Sequence, residues 1–176
     1  MMATSKFDRI VATGDKELLS HALCDVYELT FLNDGVDKVP PAYRTVMAVE
    51  KFYGETWNGG FVQYLTNGNG AFAIYAVPAL QEMGLQAPAD SLEAALSLFP
   101  KEALNDREPD FLDCLDAVEE KFGESHLEDV VEKKFWDWYN DQENEDVIRD
   151  SLHQWIMAHR EQLTTTAEQD GDAKRD

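Results

Sequence analysis

Cysteine is scarce in this 176-residue chain: only Cys24 and Cys114 are present, far apart and each inside an apolar helical pattern. That excludes a disulfide framework and predicts buried free thiols. Long apolar runs are absent as well; none approaches the roughly 18 residues needed to span a bilayer. The opening MMATSKFDRIV lacks the apolar core and small-residue cleavage pattern of a secretion signal. The expectation is a soluble, cytoplasmic protein with no membrane partner. Basic residues are few, 15 against 35 acidic ones, for a formal net charge of −20. No basic patch exists that could neutralise phosphates, so direct nucleic-acid binding is disfavoured.

Reactive constellations are missing too. No phosphate loop, nucleophile elbow or Cys/His pairing stands out. His21 with Cys24, and His153 with His159, lack the companions of a zinc site. Asp141, Glu143 and Glu145 begin like a calcium loop. However, Asp146 stands where that loop needs glycine, and Leu152 where it needs a closing glutamate. No catalytic residue, metal or cofactor is predicted, and the chain is not read as an enzyme.

What is present is a foldable, helical pattern. Hydrophobic residues make up 44% of the chain and aromatics 11%, so the acidity does not signal disorder. Leu18, Leu19, Ala22, Leu23, Val26, Tyr27 and Leu29 suggest one face of a helix over 15–32, stopped at Gly35. Pro40 and Pro41 start the next helix, in which Tyr43, Val46, Met47, Glu50, Tyr53 and Trp57 follow at helical steps. A helix over 71–83 ends at Gly84, with Pro78 predicting a kink or break. Asp90 and Glu93, then Ser125 and Glu128, have the spacing of capping boxes. Phe111, Leu112, Leu115, Val118 and Phe122 line one further helix. Leu127, Val130, Val131, Phe135, Trp138 and Tyr139 line the next, and Val147, Ile148, Leu152, Trp155, Ile156 and Leu163 the last. No convincing strand alternation or internal repeat appears. The expected fold is all-α: one helical domain over 1–163 with short loops, followed by a disordered tail over 164–176.

The negative charge is uneven. Residues 102–150 hold eighteen carboxylates and five basic groups, a net of −13. In the helix at about 110–122, Asp110, Asp113, Asp116, Glu119 and Glu120 lie mostly opposite the apolar stripe. At ~1.5 Å of rise per residue they give one carboxylate per ~4 Å of axis. One DNA strand carries one charge per ~3.4 Å. Glu124, Glu128, Asp129 and Glu132 extend this surface, and Asp141, Glu143, Glu145, Asp146 and Asp150 form a second patch. Any one of these would pass for a solvated side chain, but a merely soluble helix interleaves lysine and arginine more evenly. Such a surface attracts a basic protein. The aromatics Trp136, Trp138, Tyr139 and Trp155 serve a monomer core or a homodimer contact.

The stretch ETWNGGFVQYLTNGNG, residues 55–70, gathers Gly59, Gly60, Gly68 and Gly70 around Trp57, Phe61, Tyr64 and Leu65. Asn58-Gly59 alone would signal a hairpin. Helical patterns on both sides favour a helix, a corner, a short helix and a loop, with Asn58 capping and Gln63 bonding the turn or a neighbouring loop.

The core Asn58-Gly59-Gly60-Phe61-x-Gln63-Tyr64, within residues 49–100, resembles a bacterial domain with an N-G-G-F-x-Q-Y signature that occurs in DNA-mimic proteins of the DMP type. The resemblance implies a helical homodimer whose acidic surface imitates duplex phosphates. It would cover the DNA-binding face of a helix-turn-helix transcription factor and relieve repression. On the same resemblance the signature residues are structural. The alternative is an immunity or antitoxin-like protein that neutralises a basic toxin.

Overall fold

Asp15 opens the first long helix by accepting the Leu18 backbone N–H at 2.9 Å, and Gly35, with φ +91°, ends it. In the computed structural model, which describes residues 6–104, 111–123, 125–143 and 146–164, the chain is all-α, as the spacing predicts. Among the described residues there is no strand, and no helix is long and apolar enough to cross a membrane. The helices are α1 (Lys6–Val11), α2 (Lys16–Asp34), α3 (Pro41–Thr66), α4 (Ala73–Glu82), α5 (Gln86–Leu96), α6 (Phe111–Phe122), α7 (Lys133–Asn140) and α8 (Val147–Ala158). The segment Leu127–Glu132, leading into α7, winds as a wider π-helix.

Helix α3 is the central rod, packed by α2, α4, α6 and α8, while α5 lies against α4 and α7. Tyr43, Val46, Met47, Val49 and Phe52 of α3 are fully buried. The chain then passes His159 into a last helical turn that includes Thr164. That turn is tied back where Tyr43 Oη donates to the Leu163 carbonyl. Of the predicted tail, 164–176, Thr164 belongs to that helical turn, and 165–176 lies outside the described residues.

Several expectations need correction. Leu18, Val26 and Leu29 do not share the buried face of α2. Leu19, Leu23 and Tyr27 are buried, whereas Leu18, Leu29 and Leu32 are 46%, 67% and 65% exposed. The helix is apolar over more of its circumference than α3 and α8 cover. Pro78 does not break α4, which runs through it unbroken. Asp90 and Glu93 form no capping box, because α5 begins four residues earlier, at Gln86. Asp90 instead accepts from Gln86 Nε2 at 2.6 Å, one turn back. Proline is tolerated in a first helical turn, where no N–H partner is lost, so Pro88 lets α5 start early. Ser125 does not cap either: it adopts φ +63° just after Gly123 at φ +105°. This left-handed pair turns the chain from α6 into the π segment.

Candidate functional site

The glycine-rich stretch forms the corner expected of it. Within α3 the backbone leaves helical geometry at Gly59 and Gly60, and Gly60 has φ +76° with ψ −171°. The corner returns Phe61 and Tyr64 toward Phe52 on the first half of the helix. Ring centroids there lie 5.8 Å and 5.5 Å apart. Phe135 of α7 enters the same cluster, 5.7 Å from Phe52 and 5.8 Å from Phe61.

Restarting a helix at Phe61 leaves backbone donors without intrahelical partners. Asn58, expected as the cap, is exposed; the Phe61 N–H instead goes to Glu132 Oε2 at 2.7 Å. The other oxygen of Glu132 accepts from Trp136 Nε1 at 2.6 Å, and the residue is only 8% exposed. A Cβ on Gly60 would lie 2.5 Å from the Glu132 carboxylate, so glycine is required by space as well as by φ. Glu132 was expected on the acidic surface, and this is a correction. The π winding adds residues to the turn and rotates the face. Val130 consequently points outward at 45% exposure while Glu132 turns in.

The second half of the signature is organised by Glu55. Its carboxylate accepts from Gln63 Nε2 at 2.7 Å, Asn69 Nδ2 at 2.7 Å and Asn67 Nδ2 at 3.1 Å. Partial burial by itself would push the Glu55 carboxyl up. The three amide donors, helped by Lys51, outweigh it and hold the group below its ordinary value. Gln63 thus reaches across the corner to the Glu55 side chain on the preceding stretch of helix rather than to the turn itself, and a Cβ on Gly59 would collide with its amide oxygen. Tyr64 is fully buried, and burial pushes its phenol up, out of reach of titration at neutral pH.

The predicted carboxylates divide by surroundings. Asp113, Asp116 and Glu120 are exposed on α6, spaced by three and four residues, opposite the buried Phe111 and Val118. They form a stripe with axial steps of ~4.5 and ~6 Å. Glu119 is half-buried; with Glu128 it lines a small crevice of about 70 Å³ where α6 meets the π segment. Asp129 beside it is exposed, as are Asp141 and Glu143 past the end of α7. Asp146 lies 3.6 Å from Arg149, and half-buried Asp150 pairs with Lys16. Asp110, Glu124 and Glu145 lie outside the described residues. The structure therefore brings the α6 stripe and the start of the π segment together, while Asp146 and Asp150 already have basic partners.

A second acidic feature escaped the sequence reading. A groove of about 520 Å³ between α2 and α3 is lined by Asp25, Glu28, Glu50 and Glu55, with His21 and Lys51 among them. His21 Nε2 is 2.9 Å from Glu50, and Lys51 is 3.1 Å from Glu28. Its signal was Glu50, a carboxylate at an apolar position of the α3 pattern. Segment-by-segment charge counting hid the rest, because the groove draws on two helices. Cys24 also lines the groove, and burial first, then the Glu50 charge, pushes its thiol up. It stays protonated and unreactive at neutral pH. Among the described residues, no three side chains converge to hold a metal ion.

Residues 37–159, well over half of the chain, match a family model described as DMP19-like protein. That range contains the corner, the α6 stripe and the π segment, and begins after α2. No curated protein and no solved structure matches the chain.

Proposed function

The chain belongs to the DMP19-like family, a family of the DNA-mimic type, and from that premise we propose that its carboxylates stand in for duplex phosphates. In this reading it acts by binding, without catalysis. It covers the DNA-binding face of a basic protein, a helix-turn-helix transcription factor, and relieves repression.

The observation that carries the reading is the α6 stripe. Asp113, Asp116 and Glu120 face solvent together on a helix whose other side is fixed in the core. A protein that reads DNA presents lysine and arginine spaced to meet phosphates. Carboxylates on a rigid helix meet those same groups without reorganising, and a net charge of −20 steers the encounter from a distance. Glu119, Glu128 and Asp129 extend the stripe, with Asp141 and Glu143 as outlying charges. Glu132 is excluded from the interface because both its oxygens are used internally.

A homodimer belongs to the same proposal. The exposed stripe of Leu18, Leu29 and Leu32 on α2 supports it, since a basic partner has no use for leucines while a second copy does.

The test is affinity capture of a DNA-binding protein from cell extract, repeated with competing duplex DNA. Capture should fall steeply with salt and be abolished by the cognate duplex. Reversing Asp113, Asp116 and Glu120 together to lysine should weaken it on the order of a hundredfold or more, since close interfacial charge pairs couple at ~1.5 kcal/mol and above. Folding should survive, because all three side chains are exposed. Binding that persists unchanged when the captured protein already holds DNA would falsify the proposal.

A further inference from the structure

Trp57 is 57% exposed although three other aromatic rings surround it. Tyr53 lies one helical turn earlier on α3, with ring centroids 6.3 Å apart. Tyr139 of α7 is 5.6 Å away. Tyr53, Trp57 and Tyr139 wall a cavity of about 350 Å³, completed by Asn140 at the end of α7 and by Gln142 and Asp146 between α7 and α8. The volume is at the lower end for small-ligand sites, ~300 Å³ and above. Neither the α6 stripe nor the corner uses this cavity.

The lining selects for one kind of guest. Ring faces attract a cation, more strongly as it sheds water. Among the described residues the lining contains no basic side chain; its one carboxylate, Asp146, lies 3.6 Å from Arg149, so a guest cation would share that carboxylate and rest chiefly on the ring faces. Gln142 directs one Nε2 N–H at the Trp138 carbonyl at 2.8 Å, and its amide oxygen and that of Asn140 are acceptors beside the rings. One wall already serves a cation: Arg149, which does not line the cavity, holds its guanidinium 5.3 Å from the Tyr53 centroid. A planar guanidinium suits this set better than an ammonium, since it stacks on rings and still directs N–H groups at oxygens in its plane.

We propose that the Tyr53–Trp57–Tyr139 cavity is a receptor for the guanidinium of an arginine side chain, supplied by the basic partner. The source of that side chain rests on the DNA-mimic reading; the preference for guanidinium does not. The cavity would give the mimic a means of distinguishing arginine from lysine, which a field of carboxylates does poorly.

The full chain is titrated with N-acetyl-arginine amide and with its neutral isostere, N-acetyl-citrulline amide, following the indole N–H resonances by NMR. Saturable shifts of Trp57 with the arginine compound alone are expected, and in Trp57→Ala the heat of binding that compound, read by isothermal titration calorimetry, should be lost. Equal response to both compounds, or none, overturns the proposal.

In a second arm, the protein binds a synthetic arginine-rich helix and the same helix with lysine at every arginine. Wild type should favour the arginine helix about tenfold. Trp57→Ala should erase that preference while keeping the charge-driven affinity common to both, and Trp57→Phe should retain part of it. A preference unchanged in Trp57→Ala overturns the proposal. If neither helix binds while the amide still shifts Trp57, the mimic reading fails, and with it the source of the side chain. Unaltered thermal unfolding of each variant separates these effects from misfolding.

Discussion

Replacing Glu132 with alanine should lower stability without directly removing an interface charge. The carboxylate takes the Phe61 N–H at 2.7 Å and the Trp136 indole N–H at 2.6 Å. Leaving a buried donor unpaired costs ~1–3 kcal/mol. The Phe61 amide belongs at the upper part of that range, because its residue is fully buried. The Trp136 indole belongs lower, because the residue is half-buried and reaches water more easily. Relief from burying a charge returns some of this, so the net loss is about 3 kcal/mol. For a chain of this size that corresponds to a midpoint roughly 6–12 °C lower. Thermal unfolding followed by far-ultraviolet circular dichroism measures it. Glu132→Gln keeps one acceptor and should lose less, about 1–2 kcal/mol. Gly60→Ala attacks the same contact from the other side: its Cβ would lie 2.5 Å from the carboxylate, at φ +76°. Because both changes displace one interaction, the double variant should be destabilised by less than the sum of the two singles. A wild-type midpoint for Glu132→Ala, or strict additivity in the pair, would refute the capping role.

Other consequences follow from the same geometry. The amides around Glu55 hold its folded-state value below the ordinary 4.5, so its contribution is complete above that pH and is lost as pH falls through the lower folded value. The stability gap between wild type and Glu55→Gln should therefore be constant near neutrality and close in acid; a gap unchanged into strong acid would count against the hub. Leu29, at 67% exposure, can be replaced by glutamate with little effect on the fold, and sedimentation velocity should then show the proposed dimer shifted to monomer. If the two proteins sediment alike as dimers, the α2 stripe is not the contact.

The legible parts of this molecule were those specified locally. Gly35 ends α2, Pro40 and Pro41 open α3, and Gly84 closes α4, because proline and positive-φ glycine act within a few residues. Helical spacing across Asn58-Gly59 correctly outweighed a two-residue hairpin signal. Asp90 with Glu93 failed because the spacing says nothing about whether an earlier turn is available, and Pro88 made one available. The π winding at 127–132 was invisible, since it takes its justification from Glu132 reaching α3, seventy-one positions earlier in the chain at Phe61. The α6 stripe could be read from one helix alone. The aromatic cavity could not, because it joins α3 to the turn after α7.

The Glu55 hub also sets a chemical clock. Asn67 and Asn69 are each followed by glycine, the neighbour that least hinders attack of a backbone nitrogen on an asparagine amide. Loss of ammonia there would turn a donor to Glu55 into a second carboxylate at hydrogen-bonding range, and like charges so close cannot both stay ionised cheaply. Ageing at mildly alkaline pH should thus yield more acidic species on ion exchange that also melt earlier than fresh protein. On a chain of net charge −20, one more negative charge changes the surface little; in this loop it would change what holds the corner shut.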